Sequence, residues 1–240
     1  MHALFCALSL SLLPALAVPQ KSVLFLFEDD GGFALGAYGD QVSQTPHLDA
    51  LAARGTVFDQ AYTSVSSCSP SRASLLTGLP THQNGQFGLL NCNFYSFPGI
   101  QALPNILTAS GVRTGIIGKY HVAAGSTSPG SAYNFSWGNS AAGPGGCQAG
   151  ASDSCPDTDY NTVSRNITYM RAQADSFLQW AQGDPFFFYV GFGDSHRCGG
   201  EQGAFCENYG RDKSGASTIP DWVPFVPSSS SVQLPFWVSG

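Results

Sequence analysis

Three short apolar runs constrain this chain more than any other feature: residues 22–27 (SVLFLF), 113–118 (RTGIIG) and 185–192 (PFFFYVGF). Each has the continuous β-favouring character of a strand buried on both faces, not the alternation of a half-exposed one. Each also stops at polar residues: Glu28-Asp29-Asp30 before Gly31-Gly32, then Lys119-Tyr120-His121, then Asp194-Ser195-His196. Strands of this kind belong to parallel sheets, and such sheets bind ligands beyond the carboxyl ends of their strands. The expected fold is therefore α/β, a largely parallel central sheet flanked by helices, with those polar residues at one edge.

Between the runs, Thr45 reads as the N-cap of a helix that starts at Pro46, carries Leu48, Leu51 and Ala52 as its apolar stripe, and stops at Gly55. Residues 57–65 read as a further strand, which would complete a β-α-β unit. A short helix over 103–110 ends at Gly111. Residues 163–182 have helical period, with Ile167, Met170, Ala174, Phe177 and Leu178 on one side. Residues 123–159, rich in Gly, Ser and Ala, read as a long surface excursion, stapled if Cys147 and Cys155 pair. Beyond Trp222 the sequence turns Pro- and Ser-rich, and 228–240 reads as an irregular tail.

The stretch 64–85, SVSSCSPSRASLLTGLPTHQNG, sets Cys68 just before Pro70 and a helical run closed by Gly78. A thiol at a helix N-terminus sits in an anion site, where backbone N–H groups and the helix dipole also favour a thiolate. The plain alternative is a buried or disulfide-bonded cysteine at a turn. A cysteine-phosphatase loop is excluded, because Arg72 follows four positions after the cysteine where six are needed. A nucleotide P-loop around Lys119 is excluded too, because Arg113 stands where a glycine is required and Tyr120 where Ser or Thr is. Asp29 and Asp30 at a strand end offer hard oxygen donors for a cation, the alternative being a solvated turn. Lys119 and His121, two apart on an extended segment, would point the same way.

With 43% hydrophobic and 12% aromatic residues, the chain can bury one sizeable core, so one globular domain is expected over 18–227. A net charge of −6 with ten Lys and Arg and no basic run argues against a nucleic-acid binder. Residues 1–17 are apolar, interrupted by Pro14 and end Ala15-Leu16-Ala17, the pattern of a signal peptide cut after Ala17; no other stretch is long enough to span a membrane. Loss of Cys6 leaves Cys68, Cys92, Cys147, Cys155, Cys198 and Cys206. Cys147 with Cys155, and Cys198 with Cys206, are near enough to close small loops, which leaves Cys92 without a partner. The sequons at Asn134 and Asn166 fit the same secretory route and belong on the surface.

Cys-x-Pro-Ser-Arg followed by Leu-Leu-Thr-Gly resembles the signature of the type I sulfatases, whose cysteine is oxidised to formylglycine during secretion. The segments EDDGGFALGAYG, TPHLDALAARG, GVRTGIIGKYHV, PFFFYVGFGDSHRCG and IPDW run in that family's order over roughly 22–227. THQNG, GDSHRCG and IPDW resemble its N-sulfatase (sulfamidase) branch. The resemblance implies an alkaline-phosphatase-like α/β fold and hydrolysis of sulfate from glucosamine residues of heparan sulfate. It also implies a formylglycine-generating enzyme as partner during secretion, and lysosomal or secreted delivery. A homodimer is the implied assembly of the full-length form.

Residue by residue, the resemblance makes Asp29, Asp30 and the residue derived from Cys68 ligands of Ca²⁺. Arg72 would orient the formylglycine, Lys119 and His121 would contact it and the sulfate, and His196 would lie over the sulfate or leaving group. The mechanism this implies is that one hydroxyl of the hydrated aldehyde would attack sulfur as the amine leaves, and the other would then collapse to the aldehyde and expel sulfate. On this resemblance fixed cations would stabilise the charge on the transferring group, His196 would be the first candidate to protonate the departing nitrogen and His121 would assist the diol, with His47 and His82 structural or at the rim. The family pattern continues past Gly240, with a further Asp-Asn ligand pair and a sulfate-binding cation. On the residues through Gly240 the expectation is an open sheet edge, weak Ca²⁺ binding and little turnover. The alternatives are an O-sulfatase acting on another glycan, and a catalytically inactive secreted glycoprotein that binds sulfated glycans.

Overall fold

The structure is a computed structural model that describes residues 21–122, 133–137, 164 and 167–193. The expectations for the signal peptide 1–17, the tail 228–240, Asp194, His196, the Asn166 sequon, Cys147, Cys155, Cys198 and Cys206 lie outside the described residues.

Among the described residues three strands form one parallel sheet: β1 (Val23–Phe27), β2 (Arg113–Gly118) and β3 (Phe186–Gly191), in the order β1-β3-β2. The register aligns Phe27 and Gly118 with Gly191, so all three strands end at one level. Parallel neighbours need crossovers, and among the described residues five α-helices lie between the strands. They are α1 (Pro46–Ala52), α2 (Cys68–Thr77), α3 (Thr81–Asn84), α4 (Leu103–Ala109) and α5 (Ile167–Ala181).

Alternation along the strands divides the core into two layers. Ile116, Phe187 and Tyr189 face Ala73 and Leu76 of α2, with Phe25, Phe27 and Leu107 packed alongside. Ile117, Phe188 and Val190 face Met170, Phe177 and Ala181 of α5. Phe177 stacks on Phe188 at 4.0 Å between ring centroids, and this close approach requires Gly115 in β2, where a Cβ would meet the Phe177 ring at 2.3 Å. Each such fully buried side chain contributes about 1.5–3 kcal/mol.

Four sequence expectations are corrected. The first run is not buried on both faces: β1 is the sheet edge among the described residues, and Leu24 and Leu26 are 57% and 48% exposed, because α5 packs over β2 and β3 and stops short of β1. Residues 57–65 form no strand and hence no β-α-β unit; they are almost wholly exposed, and their hydrogen bonds are isolated ones, such as those from Thr63 Oγ1 to the Val65 carbonyl, between Thr63 and Ser71, and from the Tyr38 hydroxyl to the Phe58 carbonyl. The stripe of α1 stays open, with Leu48 and Leu51 exposed, as does Leu178 on α5. Finally, 123–159 is not wholly a surface excursion, since Tyr133 and Trp137 are buried and Trp137 bridges to Gly115 of β2 in parallel.

Among the described residues no helix is long and apolar enough to cross a membrane.

Candidate active site

The carboxyl ends of β1 and β2 and the first turn of α2 meet at one point. Ser67, extended at φ −154°, precedes α2, Cys68 is its first residue, and Pro70 sits in the first turn, where a missing N–H costs nothing. Gly78, left-handed at φ 69°, closes the helix by donating its N–H to the Ser74 carbonyl. Burial of Ala73 and Leu76 against the sheet fixes the helix roll and carries Arg72 into the core, 1% exposed.

Lys119 reaches the site because of a glycine pair. Its N–H donates to the Gly191 carbonyl at 2.7 Å. A Cβ on Gly118, which has φ +80°, would meet that carbonyl oxygen at 1.9 Å, and one on Gly191 would meet the Lys119 carbonyl at 2.3 Å. Only glycine permits so close an approach of the two strand ends.

Asp29 is the hub, 3% exposed. Arg72 Nη2 donates to Asp29 Oδ1 at 3.0 Å, Lys119 Nζ donates to Asp29 Oδ2, and Cys68 Sγ lies 3.6 Å from Oδ1. Lys119 Nζ also lies 3.4 Å from Cys68 Sγ. The Arg72 guanidinium is pinned from its other side. Nη1 donates to the Tyr189 hydroxyl at 2.6 Å and to the Lys119 carbonyl at 2.9 Å, and its carbon stands 4.7 Å over the Phe27 ring. Its Nε is buried with no hydrogen-bond partner among the described residues.

Burial pushes the Asp29 carboxyl up, but Lys119 and Arg72 outweigh it and hold it below the ordinary carboxylate range. Burial lowers Lys119, and Asp29 offsets part of that. Burial pushes the Cys68 thiol up, Lys119 pulls it down by less, and Asp29 adds to the rise. The favoured thiolate expected from the helix N-terminus is opposed chiefly by this burial, and the thiol is placed to donate to Asp29 Oδ1. Tyr189 is raised to about 12 by burial, so its hydroxyl stays neutral and accepts from Arg72. Inside the site two cations, Arg72 and Lys119, face the one buried carboxylate, Asp29, and the exposed Asp30 carboxylate stands at its mouth.

Of the residues singled out in the sequence, Asp29, Cys68, Arg72 and Lys119 are thus brought together. Asp30 is exposed and adopts φ 56°, and its carboxylate, that of Asp29 and Cys68 Sγ lie within 4.8 Å of one another. His121 is half-buried at φ 54°, so the backbone turns after Lys119 instead of continuing extended. His47 and His82 are exposed, as are Asn134 and Cys92, whose thiol has no disulfide partner among the described residues. In THQNG the buried side chain is that of Asn84, which donates to Ser74 Oγ and the Leu79 carbonyl and ties α3 to α2. Sequence reasoning missed Tyr189 and Phe27 as the Arg72 clamp; the available signal was a single hydroxyl inside an otherwise apolar strand.

The Asp29, Asp30 and Cys68 group tests the fit of a hard cation. Two carboxylates suit Ca²⁺, and Asp29 has lone pairs beyond those used by Arg72 and Lys119. A cysteine sulfur is a poor ligand for such an ion, and an oxygen at position 68 is a better one. These residues fit part of a Ca²⁺ shell, which takes six or more oxygens.

A family model described as Sulfatase matches residues 21–220. Human N-sulphoglucosamine sulphohydrolase is 45% identical over 242 residues, which cover 97% of this chain and 43% of that protein. Human arylsulfatase A is 40% identical over 124 residues, covering 50% of this chain and 24% of its own length. The chain therefore spans less than half the length of these relatives. A solved structure described as a complex with its substrate D-glucosamine-2-N,6-O-disulfate superposes with a TM-score of 0.56 at 24% identity, over 74% of this chain and 35% of that one. Another, of i-CgsB with k-i-k-neocarrahexaose, gives 0.58 at 22% identity, over 74% and 46%. These two share the α/β fold.

Proposed function

The chain belongs to the sulfatase family, and from that membership we propose that its site hydrolyses sulfate from sulfated glucosamine, N-linked sulfate of heparan sulfate being the substrate class. The observation that carries this reading is the convergence of Cys68, Arg72 and Lys119 on Asp29 at the ends of β1 and β2. The choice of N-linked sulfate is supported by 45% identity to a protein named N-sulphoglucosamine sulphohydrolase.

In this reading Cys68 is oxidised to formylglycine by a formylglycine-generating enzyme on a secretory route that leads to the lysosome. The hydrated aldehyde supplies a nucleophilic hydroxyl, and Ca²⁺ supplies charge neutralisation. Asp29 and Asp30 hold the cation. Arg72, immobilised by Tyr189, Phe27 and the Lys119 carbonyl, keeps a fixed positive charge behind residue 68. Lys119 presents its ammonium to the same residue and stabilises charge on the sulfuryl oxygens. His121 assists at the diol, and His196 protonates the leaving nitrogen.

The test is release of inorganic sulfate by the purified protein from N-sulfated and from 6-O-sulfated glucosamine, with Cys68→Ala as control. Release from the N-sulfated sugar, abolished in the variant, supports the reading. Release from the O-sulfated sugar alone makes the site an O-sulfatase.

A further inference from the structure

Residues 133–137 contain the sequon Asn134-Phe135-Ser136, and the fold consumes every part of it except the acceptor side chain. Asn134 is exposed, its N–H donating to Asn105 Oδ1 of α4 at 2.7 Å. Phe135 packs into the layer beneath α2, stacked at 6.3 Å on Phe187 and edge-on at 6.1 Å to Tyr120. The Ser136 hydroxyl lies 3.1 Å from both Thr108 Oγ1 and Thr114 Oγ1, which are themselves 2.8 Å apart. Its N–H donates to Thr114 Oγ1 at 2.9 Å.

The flanking residues lock the segment further. Trp137, 4% exposed, donates to the Thr114 carbonyl and accepts from the Ile116 N–H. Tyr133, fully buried, shares a 2.6 Å hydrogen bond with Ser96 and accepts one from the Tyr120 hydroxyl.

N-glycosylation requires the hydroxyl of the third sequon residue as well as the asparagine. Here that hydroxyl sits in a three-hydroxyl cluster between α4 and β2, and the residue before it is wedged into the core. We propose that Asn134 carries an N-linked glycan that can be attached only before residues 133–137 dock on β2, so that folding closes the sequon and leaves the glycan at the surface beside α4. In the transfer, the Asn134 carboxamide nitrogen bonds to the anomeric carbon of a polyprenyl-diphosphate-linked oligosaccharide. The anomeric C–O bond to diphosphate breaks, and the amide proton passes to a base of the transferase. Occupancy at Asn134 is then a race between transfer and the docking of 133–137.

The experiment has two arms. The full chain is expressed in secreting eukaryotic cells and digested with and without N-glycosidase, and peptides holding Asn134 and Asn166 are analysed by mass. Asparagine-to-aspartate conversion at position 134, lost in both Asn134→Gln and Ser136→Ala, is expected; an unmodified Asn134 in a chain glycosylated at Asn166 overturns the site. In the second arm, unglycosylated full chain is offered, folded or denatured, to a purified oligosaccharyltransferase with its lipid-linked donor. Transfer to Asn134 is expected to be at least about tenfold slower in the folded chain, since acceptance then needs local opening of the segment. Equal rates overturn the closure. Thr108→Ala, which removes one exposed partner of Ser136, is expected to raise the folded-chain rate, and no change in it counts against the hydroxyl lock.

Discussion

Arg72 Nη2 lies 3.0 Å from Asp29 Oδ1, with both side chains all but sealed from solvent. A buried ion pair is weak evidence for stability by itself, but removal of one partner strands the other. Arg72→Ala also deprives the Tyr189 hydroxyl and the Lys119 carbonyl of their donor. Its expected cost is about 3–5 kcal/mol in urea-unfolding free energy, and sulfate release should disappear with it. Arg72→Lys should rescue neither, because an ammonium cannot serve three acceptors in the plane of a guanidinium.

Tyr189→Phe keeps the ring in the core and removes only the acceptor of the 2.6 Å bond from Arg72. A buried donor left unsatisfied costs about 1–3 kcal/mol. Denaturant titration should find that loss. Sulfate release should fall through kcat with KM little changed, since Arg72 would be misplaced while the sugar contacts remain.

The glycine pair at the strand ends makes a packing prediction. Gly191→Ala forces a Cβ to within 2.3 Å of the Lys119 carbonyl, whereas a Cβ at Gly32 meets nothing within 4 Å. The first substitution should destabilise by about 1–3 kcal/mol and reduce sulfate release. Gly32→Ala should stay within about 0.5 kcal/mol of the parent. Thermal unfolding of the two variants side by side checks both.

These positions show what the sequence disclosed and what it withheld. β2, β3, α2, α4 and α5 were legible because their apolar period and their terminal glycines agree, and Asp29, Cys68, Arg72 and Lys119 because each stands at a strand end or a helix start. The exposure of Leu24 and Leu26 was not legible, since an apolar run does not reveal which face a helix fails to cover. Residues 57–65 have strand composition, but they pair with nothing among the described residues. Residues 133–137 lie in Gly- and Ser-rich sequence that hides a buried Tyr-x-x-x-Trp. The Arg72 clamp joins residues 117 apart, a relationship that no local pattern encodes.

Metal binding supplies a further test. If Asp29 and Asp30 hold Ca²⁺ as proposed, the ion would stabilise only the folded state, so added Ca²⁺ should raise the midpoint of thermal unfolding in a saturable way, and a chelator should reverse the shift. Asp30→Asn should weaken that response while leaving the Arg72 and Lys119 bonds to Asp29 in place. An identical Ca²⁺ response in the parent and in Asp30→Asn would place the ion elsewhere.

The most direct measurement is the chemical state of residue 68 in protein purified from secreting eukaryotic cells. The peptide spanning Cys68 and Arg72 should carry an aldehyde that is trapped by a hydrazide and is absent from Cys68→Ala. A free thiol at Cys68, alkylated in full in protein that still releases sulfate, would contradict the account.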